Sequence, residues 1–382
     1  MRGTGCALTE TKQIIYKNYK SNFLELRNTQ MKKELMKNIL ACILGISMCI
    51  LTSGCTEKDK PAPLKPPFKF VTATNLFGVD CVDAENIYIV GFNSSILHSA
   101  DSGNTWQFQK SGTTLNLCEV SFVSPEKGWI SGRKGTMLYT EDSGATWVKQ
   151  QTLTDKHLFS LCFVNDTTGW AVGDFGTIIN TTDGGNTWTN QSMGEDRIYN
   201  DVHFIDENNG WIAGEYGLIY HTADGGNTWT KQECRDIIPV YDETEWASYP
   251  PSLYSVYFLD KNRGWISGMD GILITTMDGG KTWTKVANPA EAGEVTLFSV
   301  QFEGQTGWAV GQKGTFVMTT DGGSTWQDKS ELTNTKFWLR AMNFCKNGTG
   351  IAVGSRGTIL KSTDFGKNWT MLSGIPLVMN KK

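Results

Sequence analysis

The chain has 382 residues, 19% of them charged, with 41 glycines and 14 tryptophans, a composition suited to an all-β protein with many tight turns. Residues 1–55 hold 8 of the 35 Lys+Arg and 3 of the 39 Asp+Glu, so the remainder carries 27 against 36, a net charge of −9. That balance argues against nucleic acid as a partner.

Residues 1–30 are polar and aperiodic, and Met31-Lys32-Lys33 reads as a fresh start, so 1–30 is expected to be an extension from a misassigned start codon. Lys32, Lys33 and Lys37 precede thirteen mostly apolar residues, Ile39 to Leu51, and then Thr52-Ser53-Gly54-Cys55. The apolar run is too short to span a bilayer comfortably and reads as a signal peptide over 31–54. Its end resembles a bacterial lipobox, with Thr52 where leucine is usual. The resemblance implies lipid on Cys55 and a protein held to a membrane of the bacterial envelope, on the periplasmic or cell-surface side. An ordinary signal peptide with a chance cysteine is the alternative. Residues 55–67 read as the lipidated cysteine and a charged, proline-rich tether.

From there one repeat fills 68–375 and leaves no room for a second domain, with 376–382 a short tail. Seven versions of Thr181-Thr182-Asp183-Gly184-Gly185-Asn186-Thr187-Trp188 end at Trp106, Trp147, Trp188, Trp229, Trp283, Trp326 and Trp369, spaced 41, 41, 41, 54, 43 and 43 residues apart. A period near 40 signals a stacked or radial repeat. Each copy reads as a hairpin turn in which the aspartate (Asp101, Asp142, Asp183, Asp224, Asp278, Asp321, Asp364) accepts from turn amides and the tryptophan packs between sheets. In the third module four strands are expected at Leu158–Val164, Trp170–Gly173, Thr177–Thr181 and Thr187–Gln191. The innermost strands share a column, Phe122, Phe163, Phe204, Phe258, Phe302 and Phe344, expected to pack between modules.

The Ser/Thr-x-Asp-x-Gly-x-Thr-Trp pattern resembles the Asp box, or BNR repeat, of sialidases and related β-propellers. A second signature, Gly169-Trp170-Ala171-Val172-Gly173, recurs at Gly128-Trp129, Gly210-Trp211, Gly264-Trp265 and Gly307-Trp308, and weakly at Tyr88 and Gly350-Ile351. Together they are similar to the photosystem II stability and assembly factor family of propellers. The resemblance implies an all-β, seven-bladed β-propeller of four-stranded antiparallel blades with an Asp box in each, closed radially so that no sheet edge is left open. A solenoid is the runner-up. How the ring closes stays open, because Phe68 to Thr74 looks like an extra strand while the last module ends with its own.

Five cysteines follow Cys55, namely Cys81, Cys118, Cys162, Cys234 and Cys345, in separate modules without pairable spacing, so buried free thiols are expected. The histidines His98, His157, His203 and His221 lack metal-ligand spacing, so neither metal nor cofactor is expected. The seven box aspartates are each needed by their own turn, and neither a sialidase constellation nor a glycosidase carboxylate pair can be assigned.

In propellers the boxes lie on one face, and the links between blades with the second-to-third-strand turns lie on the other. Arg133, Lys134, Lys313 and Arg356 map to those turns, and Arg197, Arg235 and Arg340 to the links or just after them. The turn pairs are basic or neutral in blades six, seven, one and two and acidic in blades three, four and five, so a bipolar face is expected. The longest link, Gln232 through Ser252, adds Trp246 and Tyr249 as aromatic anchors. The expected function is a non-enzymatic, membrane-tethered, monomeric propeller that binds a protein or peptide client, aiding assembly of an envelope complex. The alternative is a glycan-acting hydrolase or glycan-binding propeller, which would place stacked aromatics beside paired carboxylates in one pocket.

Overall fold

A computed structural model describes residues 74–238 and 249–372. They form seven four-stranded antiparallel sheets, each built from four consecutive strands in simple up-and-down order. In blade 3 the strands run Leu158–Phe163, Gly169–Gly173, Ile178–Thr181 and Thr189–Asn190, from the axis outward, within two residues of the expected bounds. The outermost strands are the shortest and most exposed, which blunts the outer edges. Among the described residues no helix is long and apolar enough to cross a membrane.

The aromatic column explains why the modules stack. Five of the six inner-strand phenylalanines lie flat on the Gly-Trp tryptophan of the preceding blade, as Phe163 does on Trp129 (3.7 Å), Phe258 on Trp211 (3.5 Å) and Phe302 on Trp265 (3.6 Å), and Phe122 lies on Tyr88 (3.8 Å). Each also meets the box tryptophan of its own blade edge-on, as in Phe163 with Trp188 at 6.0 Å and 89°. These are the two favoured geometries for paired rings, and together they fill each of these six interfaces with three aromatics. The glycine before each Gly-Trp tryptophan is required by the same contact: a Cβ at Gly169 would enter the ring of Phe163.

The box aspartates do what their turns require. In all seven blades the carboxylate accepts from the hydroxyl two residues earlier and from the N–H four residues later, at 2.7–2.9 Å. These bonds hold the carboxyls of Asp142, Asp183 and Asp224 below the ordinary carboxylate range. The boxes also join blades, which the sequence did not disclose. The Trp129 indole N–H and the Gln150 side-chain amide both donate to the Gly184 carbonyl of the next blade, at 3.0 and 2.8 Å. Trp170 and Gln191 do the same to Gly225.

Among the described residues no strand is exchanged between the first and last blades. Blade 1 is made from Leu76–Cys81, Ile87–Gly91, Ile96–Ser99 and Gln107–Gln109, and blade 7 ends with its own Thr370–Met371. The ring closes by docking: Gly357 N–H donates to the Thr74 carbonyl (2.6 Å) and Arg356 N–H to Asn75 Oδ1 (3.2 Å). The equivalent bond between blades 1 and 2 runs from Asn93 N–H to Asn116 Oδ1. Residues 68–73, part of the suspected extra strand, and Cys55 and Trp246 lie outside the described residues.

Candidate functional site

The face opposite the boxes is organised by seven equivalent turns. In each, the first turn residue donates its N–H to the carbonyl just before the inner strand of its own blade, as Arg133 does to Asn116 (3.0 Å) and Ser355 to Trp338 (3.0 Å). In blades 2, 3 and 4 the glycine two positions later donates to the following link, as Gly135 does to Lys156 and Gly176 to Arg197, and in blade 7 Gly357 donates to Thr74; blade 1 has Ser94 in that place. Between them sits a non-glycine residue in the left-handed region in every blade: Asn93, Lys134, Phe175, Tyr216, Asp270, Lys313 and Arg356, with φ between 53° and 57°. Bulky side chains are rare there and cost on the order of 1 kcal/mol each relative to glycine. The strain sets each of these side chains on a turn tip. Nothing in the residue types alone marks the second residue of each pair as the strained one.

Four cations of this face lie over rings. The Arg197 guanidinium is 5.2 Å from the Tyr216 ring, Arg340 is 5.4 Å from Phe298, Arg356 is 5.0 Å from Phe337 and the Lys156 ammonium is 4.7 Å from Phe175. Tyr249 is exposed and meets Tyr216 at 5.0 Å, so Arg197, Tyr216 and Tyr249 form one group. That group belongs to blade 4, which the turn pairs marked as acidic, so a cation and two tyrosines interrupt the acidic arc. Of the candidate residues, Arg235 stands apart. It occupies a turn at Arg235–Ile237 whose Asp236 accepts from Lys285 N–H on the outermost strand of blade 5 (3.0 Å), which places it at the circumference.

At the centre the inner strands open onto a cavity of about 200 Å³ lined by Arg133 and Arg340. One position per blade, four residues before the phenylalanine column, rings its mouth: Phe77, Cys118, Phe159, Asn200, Tyr254, Phe298 and Arg340. Tyr254, Phe298, Trp338 and Phe77 form a continuous aromatic arc over blades 5, 6, 7 and 1, with ring centroids 5.4, 6.5 and 6.4 Å apart in turn. Arg340 is fixed within the arc by an Nη1–H bond to the Phe298 carbonyl at 3.2 Å. Sequence reading singled out Arg340 but not the rest of this column. The signal was its fixed offset from Phe122, Phe163 and the rest.

Below the mouth the channel holds Glu119, Asp201 and Asp80. Burial pushes Glu119 up to about 8 and Asp80 up to about 6, and raises Asp201. Burial also drives His203 down to about 4. The inner edges of the innermost strands face the axis without a neighbouring strand, so their N–H groups need other acceptors. Asp80 Oδ2 accepts from Phe122 N–H of the next blade (2.6 Å), Gln301 Oε1 from Phe344 N–H (3.0 Å) and Asp201 Oδ2 from Val256 N–H (2.9 Å). Asp201 Oδ1 takes the Ser160 hydroxyl at 2.6 Å. Asp201 is thus occupied on both oxygens. The mouth does set aromatics beside carboxylates, the arrangement expected of a glycan site, but its volume lies below the roughly 300–1,000 Å³ usual for ligand pockets. Among the described residues no group of three or more His, Cys, Asp or Glu is placed to hold a metal ion.

The family described as Photosynthesis system II assembly factor YCF48 matches residues 64–141, 139–243 and 239–336. A relative described as photosystem II assembly lipoprotein Ycf48, from Prochlorococcus marinus (strain NATL2A), is 33% identical over 78 residues, which is 20% of this chain and 23% of that protein's length. Among solved structures, YCF48 bound to D1 peptide aligns at 19% identity with a TM-score of 0.63, covering 79% of this chain and 99% of the other. YCF48 from Cyanidioschyzon merolae aligns at 18% and 0.62, covering 78% and 98%. A GH74 xyloglucanase from Xanthomonas campestris aligns at 12% and 0.61, covering 79% of this chain and 55% of the enzyme. At these identities the structural likenesses establish the propeller fold.

Proposed function

Because the chain belongs to the photosynthesis system II assembly factor YCF48 family, we propose that it is a non-enzymatic assembly or stability factor that holds a peptide segment of a protein client on its link face. The observation that carries this reading is the aromatic arc Tyr254–Phe298–Trp338–Phe77 with Arg340 fixed inside it, at the open mouth of the channel. Such an arc takes an apolar side chain or a peptide plane, and Arg133, Arg340 and Arg356 around it favour carboxylates. A relative's structure is described with D1 peptide bound, and a peptide client is proposed for this chain by extension. The proposal includes the lipid tether on Cys55, which would keep the propeller beside membrane-inserted clients.

The test begins with capture of partners from detergent-solubilised envelope, followed by binding of overlapping peptides from whatever client co-elutes. Phe298→Ala should weaken peptide binding at least tenfold, while Lys281→Glu, in an Asp box on the opposite face, should leave it unchanged. The opposite pattern would overturn the assignment of the link face.

A further inference from the structure

The interface between blades 7 and 1 lacks the devices that join most other blades. Where blades 2 to 6 present a Gly-Trp tryptophan to the next blade, blade 7 has Ile351, and where the other six blades answer with the column phenylalanine, blade 1 has Cys81. The outer-strand position filled by Gln109, Gln150, Gln191 and Gln232 is Leu372 in blade 7. The Trp106 indole N–H has no glutamine to meet as Trp147 meets Gln109 at 3.0 Å, and like those of Trp188, Trp229 and Trp369 it is buried without a partner.

One contact recurs at five interfaces, is missing between blades 6 and 7, where the position is the exposed Glu303, and is made by two cysteines at the seam. The residue after the column position packs against the phenylalanine of the next blade: Val82 with Phe122, Val123 with Phe163, Val164 with Phe204, Ile205 with Phe258 and Leu259 with Phe302 share one apolar cluster each. At the seam the same two positions are Cys345 and Cys81, again in one cluster. The Cys81 thiol points across the seam and donates to the Asn343 carbonyl, 3.7 Å away and two residues before Cys345. Both residues are free thiols in this structure. The neighbouring Cys345 thiol, with burial, holds the Cys81 thiol well above its usual range.

We propose that Cys81 and Cys345 are a disulfide site that locks the ring across its first and last blades. Sequence spacing hides the pair, because 264 residues separate two positions that become neighbours only when the ring closes. The oxidant is a disulfide of the thiol-exchange class, an oxidising oxidoreductase in the cell or oxidised glutathione in vitro. One cysteine thiolate attacks that disulfide and expels a thiolate. The second cysteine then displaces the other thiolate, so that the Sγ–Sγ bond forms while two electrons and two protons pass to the reduced oxidant. Burial of Cys345 and suppression of the Cys81 thiolate make exchange slow once the ring is shut, so the bond forms while the seam is still open. Persistence in the cell rests on the proposed export, whereas formation in vitro does not.

The experiment refolds the reduced, denatured full chain in a glutathione redox buffer or in excess dithiothreitol. Products are alkylated, digested without reduction and mapped by mass spectrometry. A Cys81–Cys345 linked peptide is expected, with the oxidised chain unfolding roughly 5 to 10 °C above the reduced one, since the bond closes a very long loop. Substitution could loosen the seam by itself, so oxidised and reduced midpoints are compared within each variant. Cys118→Ser should keep the redox difference, and Cys81→Ser and Cys345→Ser should abolish it. Recovery of Cys81 and Cys345 as alkylated thiols, their linkage to other cysteines, or a redox difference that survives in Cys345→Ser would each overturn the proposal.

Discussion

The indole of Trp170 in blade 3 lies on the ring of Phe204 in blade 4 with centroids 3.5 Å apart and planes within 5°, while its N–H reaches the Gly225 carbonyl at 3.0 Å. One side chain thus carries both the apolar and the polar link between two blades. Phe204→Ala should therefore destabilise the protein by about 3–5 kcal/mol. Gly210→Ala, which pushes a methyl into the same ring, should cost about 1–3 kcal/mol by overpacking. The combined variant should be less destabilised than the sum, because the cavity left by Phe204 accepts the new methyl. Chemical denaturation of the three variants measures this; strict additivity would mean that ring and glycine are not coupled.

Asp183 predicts a different kind of loss. Its carboxylate accepts from Thr181 Oγ1, Thr187 N–H and Thr187 Oγ1 at 2.8, 2.8 and 2.6 Å, and the turn it shapes carries the Gly184 carbonyl on which blade 2 docks. Asp183→Ala should cost about 1–3 kcal/mol and leave peptide affinity of the folded protein unchanged. Asp183→Asn, which keeps one acceptor oxygen, should cost less. Calorimetry paired with a binding titration decides; unchanged stability with lost binding would make the box a contact surface.

The blades, the boxes and the phenylalanine column were legible because each is a relationship inside one 41-residue module, and seven copies expose it. The polar relationships between modules were not. Gln150 reads as an unremarkable outer-strand residue until the Gly184 carbonyl is beside it, and Glu119, Asp80 and Asp201 read as ordinary strand carboxylates until the ring points them at the axis. Arg235 was placed with the face residues because its link starts toward that face, yet the longer link carries it along the rim. Lys134, Lys313 and Arg356 were found as charges, but their left-handed backbone follows from the turn's bonds to two separate strands.

The axial carboxylates give the protein a pH dependence opposite in sign to that of the boxes. Burial lifts Glu119 to about 8 from an ordinary 4.5, and Asp80 to about 6 from 3.8. The folded state therefore binds more protons than the unfolded chain between those limits, and stability falls as pH rises from about 4.5 toward 8. The box aspartates are shifted down, so their contribution is present above about pH 4 and fades below it. Buried His203, lowered to about 4, acts in the opposite sense below pH 6.5, so denaturation midpoints should rise from pH 8 to about pH 6.5, more weakly from there to pH 5, and fall again below pH 4. Glu119→Gln should flatten the upper limb by on the order of 1 kcal/mol, discounted because the channel is open to solvent. A wild-type midpoint that does not change between pH 5 and 8 would show that the channel carboxylates ionise freely.

The tether is tested by Cys55→Ser, which should move the protein from the membrane pellet to the soluble fraction, since no acyl chain could then be attached. Retention of the Ser variant in the pellet through a high-salt wash would remove the lipobox reading.

The link face makes two kinetic predictions that separate steering from anchoring. Arg133 and Arg356 lie at turn tips, and Arg356 rests on Phe337 at 5.0 Å, so reversing both to Glu should leave folding nearly unchanged and slow association with an acidic client peptide. The slowing should shrink toward 0.5 M salt, where the screening length falls to about 4 Å. Tyr249 stands exposed against Tyr216, which also carries Arg197. Tyr249→Ala removes contact area without charge and should raise the dissociation rate several-fold at both salt concentrations. Trp246→Ala should act in the same sense, through the same long link. Association and dissociation rates for wild type and each variant, at low salt and at 0.5 M, separate the two effects. If the charge reversal changed only dissociation, the arginines would be contact residues within the bound complex; if neither set of variants changed either rate, the client would have to bind away from this face.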